Sequence, residues 1–239
     1  MKLRLRDGLT TADKKREFNK ELFSGIAANY DRTNAFLSFW RDRVWKRDLI
    51  RSLPPLNRPR CLDIACGTGD LCELLSLKYP DAEIVGLDLA EAMLNIARVR
   101  TSGLRVTFRE GDMCRMDFPD GSFDIVTGGY ALRNAPDLKQ ALAEIRRVLK
   151  PGGTAAFTDF SKPPAKGFQC LEICALAVWT GICGLLLGKP KEYGYIVASL
   201  RQFPDRVALH KLLKKNGFIV VESRLLFFGV IERITVQKT

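Results

Sequence analysis

The sequence predicts an α/β fold: a Rossmann-like, mostly parallel sheet of seven strands with helices on both faces, an antiparallel C-terminal strand and a helical extension at the N-terminus. Two observations carry it. From residue 60, short β-rich runs (60–65, 83–88, 104–109, 123–128 and 153–159) alternate with helical stretches (70–79, 91–101 and 137–149), which is the pattern of βαβ units with right-handed crossovers. The segment from Leu62 to Asp70, LDIACGTGD, reads as a strand that stops at a glycine-rich turn and opens a helix. Such a turn presents backbone N–H groups and a positive helix end to a ligand.

Taken in order, residues 12–29 place Phe18, Leu22, Phe23, Ile26 and Ala27 at helical spacing. A second helix is predicted over 38–52, with Trp40, Val44, Trp45, Leu49 and Ile50 on one side; aromatics beside a basic face fit an interfacial helix, and the favoured reading is a helix packed on the core. Arg41, Arg43, Lys46, Arg47 and Arg51 fall mostly on the other side. Pro54-Pro55 and Pro59 end this region and divide a helical cap, 1–58, from the main domain, 59–239. Pro151-Gly152-Gly153 is a turn after a helix that closes on Arg146, Arg147 and Lys150. Residues 173–188 carry no charge over sixteen positions, short of the roughly 20 residues a membrane span needs. They read as a buried or interface-dipping helix lining an apolar pocket, within a substrate-side insertion over 162–196. The tail predicts a helix around 196–215 and two strands, 217–223 and 226–236, joined as an antiparallel hairpin.

Composition narrows the classes. The hydrophobic and charged fractions, 46% and 27%, are those of a globular protein. Seven scattered cysteines and an N-terminus without an apolar run predict no secretory signal and a reducing, cytoplasmic setting. With His210 as the only histidine and no CxxC pair, no metal site is expected. His210, between helix leucines and lysines, reads as a surface residue. Residues 1–60 hold 15 Lys/Arg against 7 Asp/Glu, a basic segment suited to an anionic partner or simply to water.

In open α/β sheets the ligand lies beyond the carboxyl ends of the strands. Strand 1 ends in Cys66-Gly67-Thr68-Gly69; strand 2 ends in Asp88, placed to accept both ribose hydroxyls, followed by Leu89. Strand 3 is followed by Gly111-Asp112-Met113, a carboxylate for an adenine amino group and an apolar cover for the ring. Strand 4 ends in Gly128-Gly129-Tyr130-Ala131-Leu132-Arg133-Asn134. A dinucleotide site carries a third glycine where this chain has Asp70, and no P-loop lysine follows. An acid there repels phosphate and suits an ammonium or sulfonium group. S-adenosylmethionine (SAM) has both, its amino group expected near Asp63 or Gly67, and methyl transfer follows. Nucleic acid is not the expected acceptor: base-amine methyltransferases carry an Asp/Asn-Pro-Pro-aromatic run after strand 4, absent here.

At these residues the chain resembles the ubiquinone/menaquinone biosynthesis C-methyltransferases. LDIACGTGD, GLDLAEAML (86–94), FPDGSFDIVT (118–127), ALRNAPDLKQALAEIRRVLKPGG (131–153) and DFSKP (159–163) look like that family's blocks in order. AANYDRTN (27–34), SFWRDRVWK (38–46) and YGYIVASLRQFP (193–204) extend the likeness over nearly the whole chain. The resemblance implies a class I methyltransferase fold, SAM, and an aromatic quinol with a polyprenyl tail as acceptor. It implies cofactor contacts from Thr68, Asp88, Asp112, Met113 and Gly129, with Tyr30 closing over the site. Gly67, Gly69, Asp63 and Leu89 complete the cofactor set. Arg133 is expected to stabilise the developing oxyanion, or to pair with Asp159, and Asn134 and Tyr195 to orient the ring. Tyr130, Trp179, Tyr193 and Phe203 make up the expected substrate wall. The family often has Ser at Gly129, Glu at Ala198, and a late Gly-hydrophobic-His where this chain reads Gly229-Val230-Ile231-Glu232-Arg233. These departures leave a second reading open, methylation of another small aromatic or terpenoid metabolite. Peripheral membrane contact through the basic N-terminal helix and 173–188, at the inner face, and a homodimer complete the expectations.

Overall fold

The computed structural model describes residues 8–186 and 190–239. Three helices precede the sheet: α1 (Ala12–Ile26), α2 (Tyr30–Leu37) and α3 (Asp42–Arg51). Thr11 caps α1 by accepting from the Lys14 N–H. The expected single helix over 12–29 therefore stops at Ile26, and α2, which periodicity did not separate, follows one 3₁₀ turn later. Phe39 and Trp40 take positive φ, 52° and 59°, so α3 begins only at Asp42. This start exposes Trp40 and Val44, correcting the expectation that both pack on the core; Trp45, Leu49 and Ile50 are buried.

The main domain runs β1 (Arg60–Ile64), α4 (Asp70–Lys78), β2 (Glu83–Asp88), α5 (Glu91–Arg100), β3 (Val106–Glu110) and β4 (Phe123–Gly129). It continues with α6 (Ala131–Asn134), α7 (Leu138–Val148), β5 (Leu149–Phe160), α8 (Lys166–Leu186), α9 (Pro190–Gln202), α10 (Arg206–Lys215), β6 (Phe218–Leu226) and β7 (Ile231–Lys238). The seven strands lie in the order β3-β2-β1-β4-β5-β7-β6, parallel through β5, with β7 antiparallel to both its neighbours. The hairpin thus folds back so that the last strand sits inside and β6 takes the edge. The predicted 196–215 helix is two helices, because Pro204 cannot continue α9 and Asp205 caps α10 at the Ala208 N–H.

Strand residues Leu62, Ile64, Phe123, Val126 and Phe157 form the buried centre of the sheet. The strand order reverses between β1 and β4, so their carboxyl ends open a crevice. Helices α1 and α2 lie over it, tied to the sheet by Arg16 to Asp112, Lys20 to Glu110 and Arg100 to Asp31.

Candidate active site

The turn after β1 is built by backbone. Ala65, Gly67 and Gly69 all take positive φ, and the Cys66 N–H donates to the Leu87 carbonyl at 3.0 Å, joining the ends of β1 and β2. At Gly69 (φ 81°) a Cβ would stand 2.9 Å from that of Ala97, so only glycine lets α4 and α5 approach this closely. The Gly67 N–H donates to Asp88 Oδ2 at 2.8 Å and the Ala90 N–H to Oδ1 at 2.9 Å. Burial pushes the Asp88 carboxyl up, against these backbone donors, and its remaining lone pairs face a cavity.

That cavity, open at its mouth, spans about 540 Å³ of unfilled space, solvent included. Tyr30, Asp88, Leu89, Met113 and Gly129 line it, with Asn19, Phe23 and Met93. A second cavity of about 1080 Å³ is almost wholly apolar and aromatic. Leu22, Ile26, Phe39, Trp45, Phe160 and Phe227 join Trp179, Tyr193 and Tyr195 there. Phe23, Tyr30, Tyr130 and Asn134 belong to both walls, so the two spaces meet at these four side chains.

Tyr130 is set at that junction by its own left-handed conformation (φ 58°), fixed by its N–H to the Thr158 carbonyl at 2.7 Å. The next turn, α6, carries Arg133 and Asn134 inward, and both are buried. The Asn134 amide donates to the Tyr130 carbonyl at 2.7 Å, and its Oδ1 accepts from the Tyr195 hydroxyl at 2.9 Å. Burial pushes the Tyr195 phenol up to about 12, although Arg133 opposes it, so the group remains a hydrogen-bond donor at neutral pH. The Arg133 guanidinium donates to Ser199, lies 5.0 Å over the Phe160 ring and 5.9 Å over that of Tyr195, and has Asp159 Oδ1 3.6 Å from its Nε. Arg133 therefore both lines the apolar cavity and pairs with Asp159.

Several expected residues lie elsewhere. Asp63 is fully buried in β1, accepting from Thr127 Oγ1 at 2.8 Å and from Cys72, and touches neither cavity; burial pushes it up to about 8, so it is no carboxylate for an amino group. The Thr68 hydroxyl is engaged by Asp31 at 2.7 Å and Arg100 at 3.0 Å. The Asp112 carboxylate is held by Arg16 Nε at 2.5 Å and the Cys114 N–H at 2.8 Å, while its neighbours Gly111 and Met113 line the cofactor cavity. Phe203 packs into the main core with Leu200 and Leu209 and lines neither cavity, because Pro204 turns the chain there. His210 is not a free surface side chain; it bonds buried Glu232 at 2.6 Å.

Of the two readings of residues 173–188, the described part, within α8, is mostly unburied and lines the apolar cavity, which corrects the buried alternative and leaves the interface-dipping one. Among the described residues of α8, Leu176, Trp179 and Thr180 reach the cavity, and just 17% of the most apolar 18-residue window is buried. That helix is long and apolar enough to cross a membrane by length and composition alone. Residues 187–188 lie outside the described residues.

Lys46, expected on the outward side of its helix with the arginines, faces inward instead. Lys46 is buried and pairs with Asp70, with Asp42 Oδ2 3.6 Å away and the Tyr130 ring at 5.6 Å. Burial works against its charge, but Asp70, Tyr130, Tyr30 and Asp42 outweigh it and push its pKa up. The acid beside the glycine turn is thus already neutralised by the protein. Lys15 went unnoticed too: its ammonium donates to the Arg133 carbonyl at 3.0 Å, and burial, with Arg133 nearby, lowers it to about 8. Neither position carries a periodic signal, since both depend on how the N-terminal helices cross the sheet.

The donor set fits SAM. The smaller cavity offers a two-oxygen acceptor in Asp88, apolar covers in Leu89 and Met113, and open backbone at Gly129. Fold and cavities together define a class I, SAM-dependent methyltransferase. Similar solved folds agree, among them a SAM-dependent methyltransferase of Thermotoga maritima (TM-score 0.64, 20% identity, covering 92% of this chain and 99% of that one). Another is a phosphoethanolamine N-methyltransferase of Haemonchus contortus (TM-score 0.57, 22% identity, covering 77% and 38%). The model of the ubiE/COQ5 methyltransferase family matches residues 10–238, and the chain belongs to that family. Relatives include the demethylmenaquinone methyltransferases of Geobacillus kaustophilus, 37% identical over 90% of this chain and 94% of theirs, and of Thermus thermophilus, 40% identical over 87% and 96%.

Proposed function

We propose that this methyltransferase alkylates a ring carbon of a reduced, apolar-tailed quinol of the demethylmenaquinol class. The observation that carries this reading is the shared wall: a smaller cavity holding the Asp88 carboxylate meets a larger aromatic one at Phe23, Tyr30, Tyr130 and Asn134. The names of the relatives, demethylmenaquinone methyltransferases of similar length, support it.

SAM supplies an electrophilic methyl on sulfonium, so the residues need only align the acceptor and favour its oxyanion. In this reading Asp88 holds the ribose hydroxyls and Met113 and Leu89 cover the adenine. The buried Arg133 guanidinium faces the quinol oxygen and favours its deprotonated form. Asn134 and Tyr195, bonded to each other, fix the ring, and Tyr130, Trp179 and Tyr193 enclose it. When bound, SAM would supply its methyl to the ring carbon and leave as the neutral thioether, with the displaced ring proton passing to water. The tail occupies the apolar space toward Phe39 and Phe227. Peripheral contact with the membrane that holds such a tail, from its inner face, is part of the same proposal.

The test supplies purified protein with methyl-labelled SAM and, separately, a reduced demethylated naphthoquinol, a panel of polar aromatics and terpenoids, and RNA. Label on the quinol ring carbon is expected. Label only on another acceptor overturns the quinol assignment.

A further inference from the structure

Two pairs of adjacent aromatics occupy backbone conformations that L-residues avoid. Phe39 and Trp40 have φ of 52° and 59°, and Phe227 and Phe228 have 49° and 58°. Bulky side chains are held there only where the surroundings impose it, and such strain gathers at functional surfaces. Here the strain does not serve burial: Trp40 is 66% exposed and Phe228 fully so. The two turns meet, with the Phe39 and Phe227 rings 6.0 Å apart, and Trp179 stacks on Phe39 at 4.8 Å. Phe39, Trp179 and Phe227 line the larger cavity, whereas their chain neighbours Trp40 and Phe228 do not and face solvent.

This rim continues into α8. Phe168, Leu171, Val178, Ile182 and Leu185 recur at spacings of three, four and seven, and all are exposed. An apolar surface of this extent is unusual on a protein that meets only water. Beside it, α3 and the turn before it present Arg41, Arg43 and Arg47, all exposed and, among the described residues, in no ion pair. Lys46 and Asp48, on the same helix, are the ones that pair inward or sideways. Unpaired arginines beside exposed tryptophan and phenylalanine match the layered chemistry of a bilayer surface, phosphate above and acyl chain below.

We propose that this rim docks on an anionic phospholipid bilayer, with Trp40 and Phe228 entering the headgroup–acyl boundary and Arg41, Arg43 and Arg47 resting on lipid phosphates. The cavity mouth then opens into the membrane, so that an acceptor's tail stays in lipid while its ring enters between Phe39, Phe227 and Trp179. The second statement rests on the quinol reading; the first does not. A second copy of the chain is the poorer occupant. A two-fold contact through this face turns each copy's arginines toward the other's and closes the mouth.

The experiment mixes the full chain with phosphatidylcholine vesicles, with and without phosphatidylglycerol, and with no SAM or acceptor present. Binding is read by co-sedimentation and by tryptophan emission. The unaltered protein is expected to bind only the anionic vesicles, its emission moving to the blue. The double variant Trp40→Glu/Phe228→Glu is expected to lose at least about tenfold in affinity. Arg43→Gln/Arg47→Gln is expected to lose about thirtyfold and to flatten the salt dependence. Trp40 and Phe228 line neither cavity, so their double variant keeps its rate on a short-tailed, water-soluble acceptor and loses rate on a long-tailed acceptor held in vesicles. Equal vesicle binding by unaltered protein and the Trp40/Phe228 variant overturns the docking surface. So does a dimer that this variant dissolves while vesicle affinity stays constant. Vesicle binding that depends on these residues supports docking even where no quinol is methylated, so the two readings fail separately.

Discussion

Asp88 and Arg133 stand on opposite sides of the wall between the cavities, and their variants separate cofactor binding from chemistry. Asp88→Ala removes an acceptor that also orders the turn through the Gly67 and Ala90 N–H groups. Charge-assisted hydrogen bonds of about 1.5–3 kcal/mol to each of the two ribose hydroxyls put the expected loss of SAM affinity at about 100-fold or more, read by calorimetry, with turnover at saturating SAM nearly kept. Arg133→Ala is a poor probe, because it leaves the buried Asp159 without its cation. Arg133→Lys keeps the charge but not the planar fork stacked on Phe160. It is expected to lower kcat about 100-fold with SAM affinity unchanged; a matching loss of SAM affinity refutes the assigned role. Asp63 makes a different prediction. Its folded value of about 8 lies above the unfolded one, so the folded state retains a proton that the unfolded state releases. The stabilisation is complete below the unfolded pKa near 4 and is lost as pH rises through 8, with a slope of about 1.4 kcal/mol per pH unit between. Asp63→Asn is expected to remove that slope from urea unfolding measured at pH 5, 6 and 7. Parallel curves for the two proteins contradict it.

At the scale of elements, legibility followed locality. The sheet from β1 to β5 was readable because each strand and crossover helix carries its own period and its own turn chemistry. Asp88, Met113 and Gly129 were readable for the same reason, as they follow strands at fixed offsets. What escaped was set by crossings between distant segments. Lys46 lies on a helix whose arginines face water, and only the packing of α3 beside α4 buries it against Asp70. Phe203 looked like a substrate contact within an aromatic-rich block, yet the break at Pro204 points it into the core. The strained turn at Phe39-Trp40 is also invisible locally, since both residues favour other conformations. The Lys46 pair makes a prediction at this scale. Lys46→Met leaves Asp70 and Asp42 without their cation and is expected to cost about 3 kcal/mol in urea unfolding, whereas Lys46→Met/Asp70→Asn costs clearly less. Equal losses from the single and double variants mean that α3 is anchored on α4 by apolar contacts alone.

For the whole molecule, the N-terminal helices form the roof of both cavities, fastened on the side of α6 by the buried Asn19 bond to the Asn134 carbonyl and on the side of β3 by ion pairs. Asn19 and Phe23 of α1 line the cofactor cavity; Leu22, Phe23 and Ile26 line the acceptor cavity. The fastenings toward β3 are the pairs Arg16–Asp112 and Lys20–Glu110, the second with both side chains about half exposed. Exposed pairs of this kind contribute about 0–1 kcal/mol each. This roof covers the cavity that holds Asp88, so a route for SAM that lifts it is testable by exchange. Binding of a ligand that the opened state cannot hold adds its free energy to the cost of opening. SAM at about one hundred times its Kd is therefore expected to slow amide hydrogen exchange in residues 18–30 about 100-fold. Exchange in α10 and β6, on the far side of β5, stays unchanged. Equal protection across the chain would instead mean that SAM binds a roof already closed and that entry runs by another route.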